Sequence, residues 1–125
     1  MSTSVNPDIQ ALRGRLAAGA QAVSESVDFI LATAGKDPNA AFAGAVPFLK
    51  LMGIVAGGWQ MGRSALVSES KINKNEGDQS FYKAKITTAR FFGDHVLSQA
   101  PGLAATVTDG SAAVMALSED QFLAA

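Results

Sequence analysis

The sequence predicts an all-α protein: an up-and-down helical bundle of three long helices plus short C-terminal helices, similar to a four-helix bundle. Alanine, the strongest helix former, is the commonest residue. Tyrosine and tryptophan, which favour strands, occur once each. Along three segments, apolar residues recur at spacings of three and four, as they do on one face of a helix. We therefore expect residues 1–125 to form a single helical domain.

The first helix is predicted over residues 7 to 34. Asn6-Pro7-Asp8 supplies an N-cap, a proline suited to the first turn and an acid near the positive end of the helix dipole. Gly35 is typical of a residue that follows a helix end. The predicted apolar stripe consists of Ile9, Leu12, Leu16, Ala20, Val23, Val27, Ile30 and Ala34.

The second helix is predicted from Ala40 to Ser70, after another start signal at Asp37-Pro38. Most of it is apolar on almost every side, which is typical of a helix in a protein core or in a membrane. Lys50 and the marginal length of the apolar run argue against a membrane span. We therefore expect a central buried helix, with Trp59 in the core or, alternatively, at an interface.

Glycines are concentrated in this apolar segment, among them Gly53, Gly57 and Gly58. Each glycine inside a helix costs about 1 kcal/mol relative to alanine. What it allows is the close approach of another backbone. Two interpretations stay open: tight packing between helices of this bundle, or a contact surface for another chain or domain.

The remaining chain is predicted to form a turn, a third long helix and short helices. Residues 68 to 80 are polar and indicate a solvated helix end followed by a turn. The third helix is expected to begin near Asp78 or Ser80 and to end about Gln99, before Pro101. The short helices expected after it are Leu103–Thr108, Ser111–Met115 and Glu119–Leu123, the last with a capping box of Ser118 and Gln121.

The side chains offer little for catalysis. With no Cys and one His, the chain has no thiolate or multi-histidine metal site, and its net charge of -1 gives no basic field for nucleic acid. His95 and Ser98 share a helix face, but no acid is placed to complete a hydrolytic triad. Arg63 and Arg90 lie in apolar stretches, so each is expected to form a structural ion pair. Glu25 and Asp28 of the first helix are interpreted as a solvated flank or as partners for an arginine, and not as metal ligands.

Two blocks of the sequence resemble a known family. They are VPFLKLMGIVAGGW (Val46 to Trp59) and KITTARFFGDHVL (Lys85 to Leu97). With the segments around them, they resemble the extreme C-terminal helical domain of bacterial acyl-CoA dehydrogenases of the 3-methylmercaptopropionyl-CoA dehydrogenase-like branch. The similarity extends from about Ile9 to Phe122.

That resemblance implies a much longer parent flavoenzyme. In this family FAD and the acyl-CoA thioester bind in an upstream region, where a glutamate removes the α-proton and the flavin accepts the β-hydride. No residue of this chain matches that glutamate, so the resemblance implies no catalytic, cofactor-binding or metal-binding residue here. It implies an accessory bundle that packs against the catalytic domains and contributes to a homo-oligomer. The isolated chain is expected to be inert.

The candidates for the packing and contact surface lie in or beside the two blocks. They are Gly53, Gly57, Gly58, Trp59, Arg63, Arg90, Phe91, Phe92 and His95. The rival interpretation is a free-standing ligand-binding or adaptor bundle. A deep pocket beside Gly53 to Gly58 would favour the rival, whereas a broad exposed apolar patch would favour assembly. The lack of Cys and of an apolar run in residues 1 to 10 predicts a cytoplasmic protein.

Overall fold

The computed structural model describes residues 4–124 of the chain. Within this range every regular element is a helix, so the all-α prediction is confirmed. In chain order the elements are α1 (Pro7–Thr33), α2 (Pro38–Ala43), α3 (Ala45–Asn73), α4 (Gln79–His95), a 3₁₀ turn (Leu97–Gln99), α5 (Ala100–Asp109), α6 (Ser111–Val114) and α7 (Glu119–Leu123).

The first long helix, α1, begins where the sequence predicts. The Asn6 side chain accepts hydrogen bonds from the backbone amides of Asp8 (2.9 Å) and Ile9 (3.3 Å), which caps the helix. Further along, the buried face departs from the predicted stripe: Ala20 is exposed, and Gly19 faces α3 instead. The buried residues of α1 are Ile9, Leu12, Gly19, Ala22 and Ser26.

The predicted helix from Ala40 to Ser70 is divided at Gly44 into α2 and α3. Pro47 has no N–H to donate to the carbonyl of Ala43, so a continuous helix would leave that carbonyl unpaired. Because α3 starts after Gly44, Pro47 falls in its first turn, where no N–H is needed. Gly44 also lies against α5, since a Cβ there would meet the Cα of Val107 at 3.3 Å.

The polar segment forms the predicted turn, although α3 continues to Asn73 before it. Asn75 and Gly77 reverse the chain with φ angles of 54° and 73°. The Asp78 side chain then accepts a hydrogen bond from the Phe81 amide at 3.1 Å and caps α4.

The third long helix, α4, ends at His95, before the predicted end at Gln99. Pro101 lacks the N–H that a continuing α-helix would need to bond the carbonyl of Leu97. The chain instead passes through the 3₁₀ turn and starts α5 at Ala100, with Pro101 in the first turn of that helix.

The bundle has two core clusters along its length. The first joins the start of α1 to the second half of α3 and to α4, so α1 and α3 run antiparallel. The second joins α1, α3 and α5. After α4 ends, α5 therefore packs against α1 and α3 along the rest of the bundle. Buried residues of the first cluster are Ile9, Leu12, Ala65, Ile86, Ala89 and Leu97, and those of the second are Ala22, Leu51, Ala100 and Ala104.

Candidate contact surface

The three candidate glycines of α3 face two different directions. A Cβ at Gly57 would meet the Cζ of Phe92 at 3.0 Å, and a Cβ at Gly58 would meet a Cδ of Leu97 at 2.8 Å. These two glycines therefore allow close packing inside the bundle. Gly53 has nothing within 4 Å of its Cβ position and is exposed. Of the three, Gly53 is the one placed where another chain or domain could approach.

The prediction of a helix buried on all sides is wrong for α3. Leu51 is completely buried, whereas Leu49 is 73% exposed. Helices pack against α3 on one side only, so its other side faces solvent. The exposed large apolar residues of α3 recur at helical spacing and are Val46, Leu49, Met52, Trp59 and Val67.

The single tryptophan lies on this outward side and not in the core, because Trp59 is 54% exposed. The guanidinium carbon of Arg63 lies 5.2 Å from the centroid of the Trp59 ring, which is a cation–π contact. Arg63 also donates a hydrogen bond to Gln60 at 3.4 Å. Within residues 4–124 Arg63 forms no ion pair, so the prediction of a structural ion pair for Arg63 is wrong.

The outward side of α4 also combines aromatic and cationic groups. The ammonium group of Lys85 lies 5.7 Å from the centroid of the Phe81 ring. Phe91 and His95 are both exposed, and their rings stack with centroids 4.3 Å apart and an interplanar angle of 20°. Phe92, by contrast, points toward α3 and fills space inside the bundle.

The outward sides of α3 and α4 form one surface, which we call the α3–α4 face. The two helices pack side by side, and helical spacing places Phe81, Thr88 and His95 on the flank of α4 next to α3. Among the residues that define the face, the charged side chains are those of Arg63 and Lys85. The carboxylates of Glu76 and Asp78 lie just beyond it, in the turn before α4, where Glu76 pairs with Lys71. The residues of the face are Val46, Leu49, Met52, Gly53, Ala56, Trp59, Gln60, Arg63, Val67, Phe81, Lys85, Thr88, Phe91 and His95.

Apolar though this face is, none of the helices within residues 4–124 combines the length and the apolarity needed to cross a membrane.

Arg90 forms the predicted structural ion pair, with partners on two helices. Its Nη1 lies 3.1 Å from an Asp8 carboxylate oxygen, and its Nε donates to Asp94 at 2.7 Å. The Nε of Arg15 lies 3.5 Å from the same Asp94 carboxylate. The hydrogen bond from Arg90 is the main reason why the pKa of Asp94 lies below its usual value, and the same bond raises the pKa of Arg90. This cluster fastens α1 to α4.

The residues around His95 do not form a catalytic site. The Ser98 hydroxyl donates to the backbone carbonyl of Asp94 at 2.7 Å and not to the imidazole. The carboxylate of Asp94 is engaged by arginines, so it does not orient the histidine. Glu25 and Asp28 are exposed on α1. Among the residues that the structure describes, no group of three His, Cys, Asp or Glu side chains could hold a metal ion.

The described residues do not fit a flavin site either. The glycine-rich segment of α3 is helical, so its amide groups bond carbonyls within the helix and do not form a phosphate cradle. Gly57 and Gly58 are covered by neighbouring side chains and line no deep pocket. One open surface depression lies elsewhere and is lined by Gln10, Arg13, Gly14 and Ala17.

Sequence reasoning overlooked much of the α3–α4 face, although a signal was present. One series of α3 includes Leu51 and Gly58, and its buried members continue as far as Ser68. The other includes Leu49 and Gly53, and toward the end of the helix it meets polar and charged side chains. A buried face would exclude those groups, so this second series is the one that faces solvent.

Comparisons with known proteins confirm the resemblance described above. A family model described as acetyl-CoA dehydrogenase C-terminal like matches residues 1–118. The chain is also similar to a 3-methylmercaptopropionyl-CoA dehydrogenase from Ruegeria pomeroyi (strain ATCC 700808 / DSM 15171 / DSS-3), with 46% identity over 100 residues. The alignment covers 80% of this chain but 17% of that dehydrogenase, so the chain spans only a small part of its relative. No solved structure matches the chain.

Proposed function

The chain belongs to the acetyl-CoA dehydrogenase C-terminal-like family, and we propose that it is the non-catalytic structural and assembly domain of an FAD-dependent acyl-CoA dehydrogenase. In this proposal the parent enzyme introduces the α,β double bond of an acyl-CoA thioester in other domains. The bundle packs against those catalytic domains and supports a homo-oligomer. We place this activity in the cytoplasm, in the metabolism of acyl-CoA thioesters.

The observation that supports an assembly function most strongly is the α3–α4 face. Monomeric proteins seldom leave extended apolar patches exposed, and such patches are typical of protein contacts. This face combines Trp59 with an arginine, two residue types that are enriched where association energy is concentrated. Its small residues, Gly53 and Ala56, leave room for a close approach.

A non-catalytic function is supported by the positions of the acids. Removal of an α-proton requires a carboxylate with a raised pKa in a pocket from which water is excluded. Within residues 4–124 no Asp or Glu is buried. The rival ligand-binding bundle would need a pocket beside Gly53 to Gly58, and these glycines are either covered or open to solvent. No specific observation favours that rival.

A segment exchange in the Ruegeria pomeroyi dehydrogenase tests the assembly function. The part of that enzyme that aligns with this chain is replaced by the chain, and flavin content, activity with 3-methylmercaptopropionyl-CoA and particle size are measured. We expect the hybrid to keep all three properties. A matched hybrid carrying Leu49→Glu and Trp59→Glu should lose particle size or flavin because its face can no longer pack. Normal behaviour of this second hybrid, or of an enzyme without the segment, would contradict the proposal.

The purified 125-residue chain provides a second test. We expect no flavin absorbance after incubation with FAD and gel filtration. We also expect no reduction of a dye acceptor in the presence of an acyl-CoA substrate. Either signal would show that the chain itself takes part in the redox chemistry.

A further inference from the structure

We propose that α7 of one copy docks on the α3–α4 face of a second copy, and that two chains exchange α7 reciprocally to form a two-fold dimer. The inference rests on the proposed assembly function, and it names the partner as a second copy of this chain. The occupant and the surface lie on different parts of the same molecule. Each of them exposes apolar side chains that the other could cover.

The helix α7 is formed but packs little against its own bundle. The backbone amide of Ser118 donates to the Gln121 side chain at 2.9 Å, and this capping box holds the first turn of the helix. None of its residues is buried: Phe122 is 65% exposed and Leu123 is 85% exposed. The helix begins at Glu119, just after the last residue of the family match. Its large apolar side chains lie in solvent.

Charge complementarity identifies the α3–α4 face as the partner of α7. The helix carries Glu119 and Asp120, and no Lys or Arg follows Arg90 in the whole sequence. The face contains Arg63 and Lys85 and no carboxylate. Opposite charges that meet across an interface fix its register and accelerate its formation.

The apolar groups also match in size. On one side are the large side chains of Phe122 and Leu123. On the other side, Gly53 has nothing within 4 Å of its Cβ position, and Ala56 follows one turn later. These small residues leave a shallow notch between larger apolar neighbours. A large side chain from a partner helix could fill this notch and displace water from the surrounding apolar groups.

The length of the chain places Arg63, at the far part of the face, beyond the reach of α7 from the same copy. The helix α6 packs beside α2, at the end of the bundle where α3 begins. From Gly44 to Arg63 the helix advances about 28 Å at the standard rise per residue. Even fully extended, the segment Met115–Ser118 would span at most about 14 Å. A chain therefore cannot bring its own Glu119 to its own Arg63.

Reciprocal exchange doubles the contact. A two-fold arrangement places each α7 on the face of the other copy, so every contact is made twice and the assembly closes at two chains. Making the contact twice brings the buried area closer to that of a standard protein interface, about 1,200 to 2,000 Å² in total.

A charge exchange in the full-length chain tests the proposal, with dimer dissociation measured by sedimentation equilibrium. The double variant Glu119→Arg/Asp120→Arg should weaken the dimer about tenfold, because like charges then meet. Arg63→Glu should weaken it to a similar extent. Combining the three substitutions should restore most of the lost affinity. The matched controls Lys36→Glu and Asp28→Arg, both at exposed positions outside the face, should change nothing.

Trp59 supplies a second readout, because the single tryptophan lies on the proposed interface. Its emission should shift to shorter wavelength as the wild-type dimer forms, and this shift should be reduced in the Glu119→Arg/Asp120→Arg variant.

Three results would overturn the exchange. A dimer that is insensitive to Glu119→Arg/Asp120→Arg would form through another surface. The proposed assembly function would then remain, but the exchange of α7 would be contradicted. A dimer that Arg63→Glu weakens and the combined variant does not restore would use the face with a different occupant. A chain that is monomeric at every concentration would overturn the exchange, while the segment replacement in the dehydrogenase would still test the proposed function.

Discussion

The two sides of α3 have similar residue types and opposite surroundings. Leu51 is fully buried in the cluster with residues of α1 and α5, and Gly58 is covered by Leu16 of α1 and Leu97 of the 3₁₀ turn. Leu49 and Gly53 face solvent, with no helix of this bundle over them. An apolar side chain indicates that burial would be favourable, but the position of neighbouring helices decides whether this chain supplies that burial. Substitutions at matched positions on the two sides therefore separate folding from association.

The largest difference in the free energy of unfolding is expected between Leu51→Ala and Leu49→Ala. Leu51 is completely buried, so its truncation leaves a cavity and should lower the free energy of unfolding by about 2 to 5 kcal/mol. Leu49 is mostly exposed, so its truncation should change that energy by less than about 0.5 kcal/mol. Urea unfolding followed by circular dichroism at low protein concentration measures both. Equal effects would mean that something in the folded chain covers Leu49.

Gly58→Ala and Gly53→Ala are expected to change the free energy of unfolding by smaller amounts and in opposite directions. A Cβ at Gly58 would lie 2.8 Å from a methyl group of Leu97, so the buried Leu97 side chain would have to shift within the core. We expect this substitution to destabilise the chain by about 1 kcal/mol after the gain in helix propensity. Gly53→Ala meets no neighbour and should stabilise it by up to about 1 kcal/mol. If Gly53→Ala stabilises the monomer but weakens the dimer, then another chain packs closely against Gly53 in the dimer.

Much of the fold could be predicted from local signals. The Asn6 cap, the proline at the start of α1 and the capping box at Ser118 act within a few residues, so sequence reasoning placed these helix starts correctly. The break at Gly44 was missed because it depends on the amide that Pro47 lacks and on contact with α5. The first cause is visible in the sequence, whereas the second requires the packed structure.

The candidate surface could be predicted only in part. The residue types of Trp59 and Arg63 pointed to a contact, but their directions depend on where the other helices lie. The sequence predicts α3 to be a central buried helix because a hydrophobic pattern alone cannot distinguish a covered side from an uncovered one. The apolar side of α7 was missed for a similar reason, since five residues are too few to reveal a periodic face.

The smallest difference in stability is expected between substitutions of Arg90 and of Arg63. Arg90→Gln removes ion pairs with Asp8 and Asp94, so it should lower the thermal unfolding midpoint at neutral pH. Arg63→Gln removes a contact with Trp59 at an exposed position and should change the midpoint less. Both arginines lie near the surface, so both effects are modest, and added salt should reduce that of Arg90→Gln.

The pH dependence of the Arg90 effect identifies its cause. Arg90 lowers the pKa of Asp94 in the folded chain, so the pair stabilises the fold above the ordinary carboxyl pKa of about 3.9. This contribution is lost as the pH falls through the lowered pKa and the carboxylate gains its proton. The midpoint difference between wild type and Arg90→Gln should therefore shrink below about pH 4. In an Asp94→Asn background, the part of the difference that depends on Asp94 should be absent at all pH values. A difference between wild type and Arg90→Gln that stays constant through the acid range would mean that Arg90 acts by packing its side chain against α1, and not through its charge.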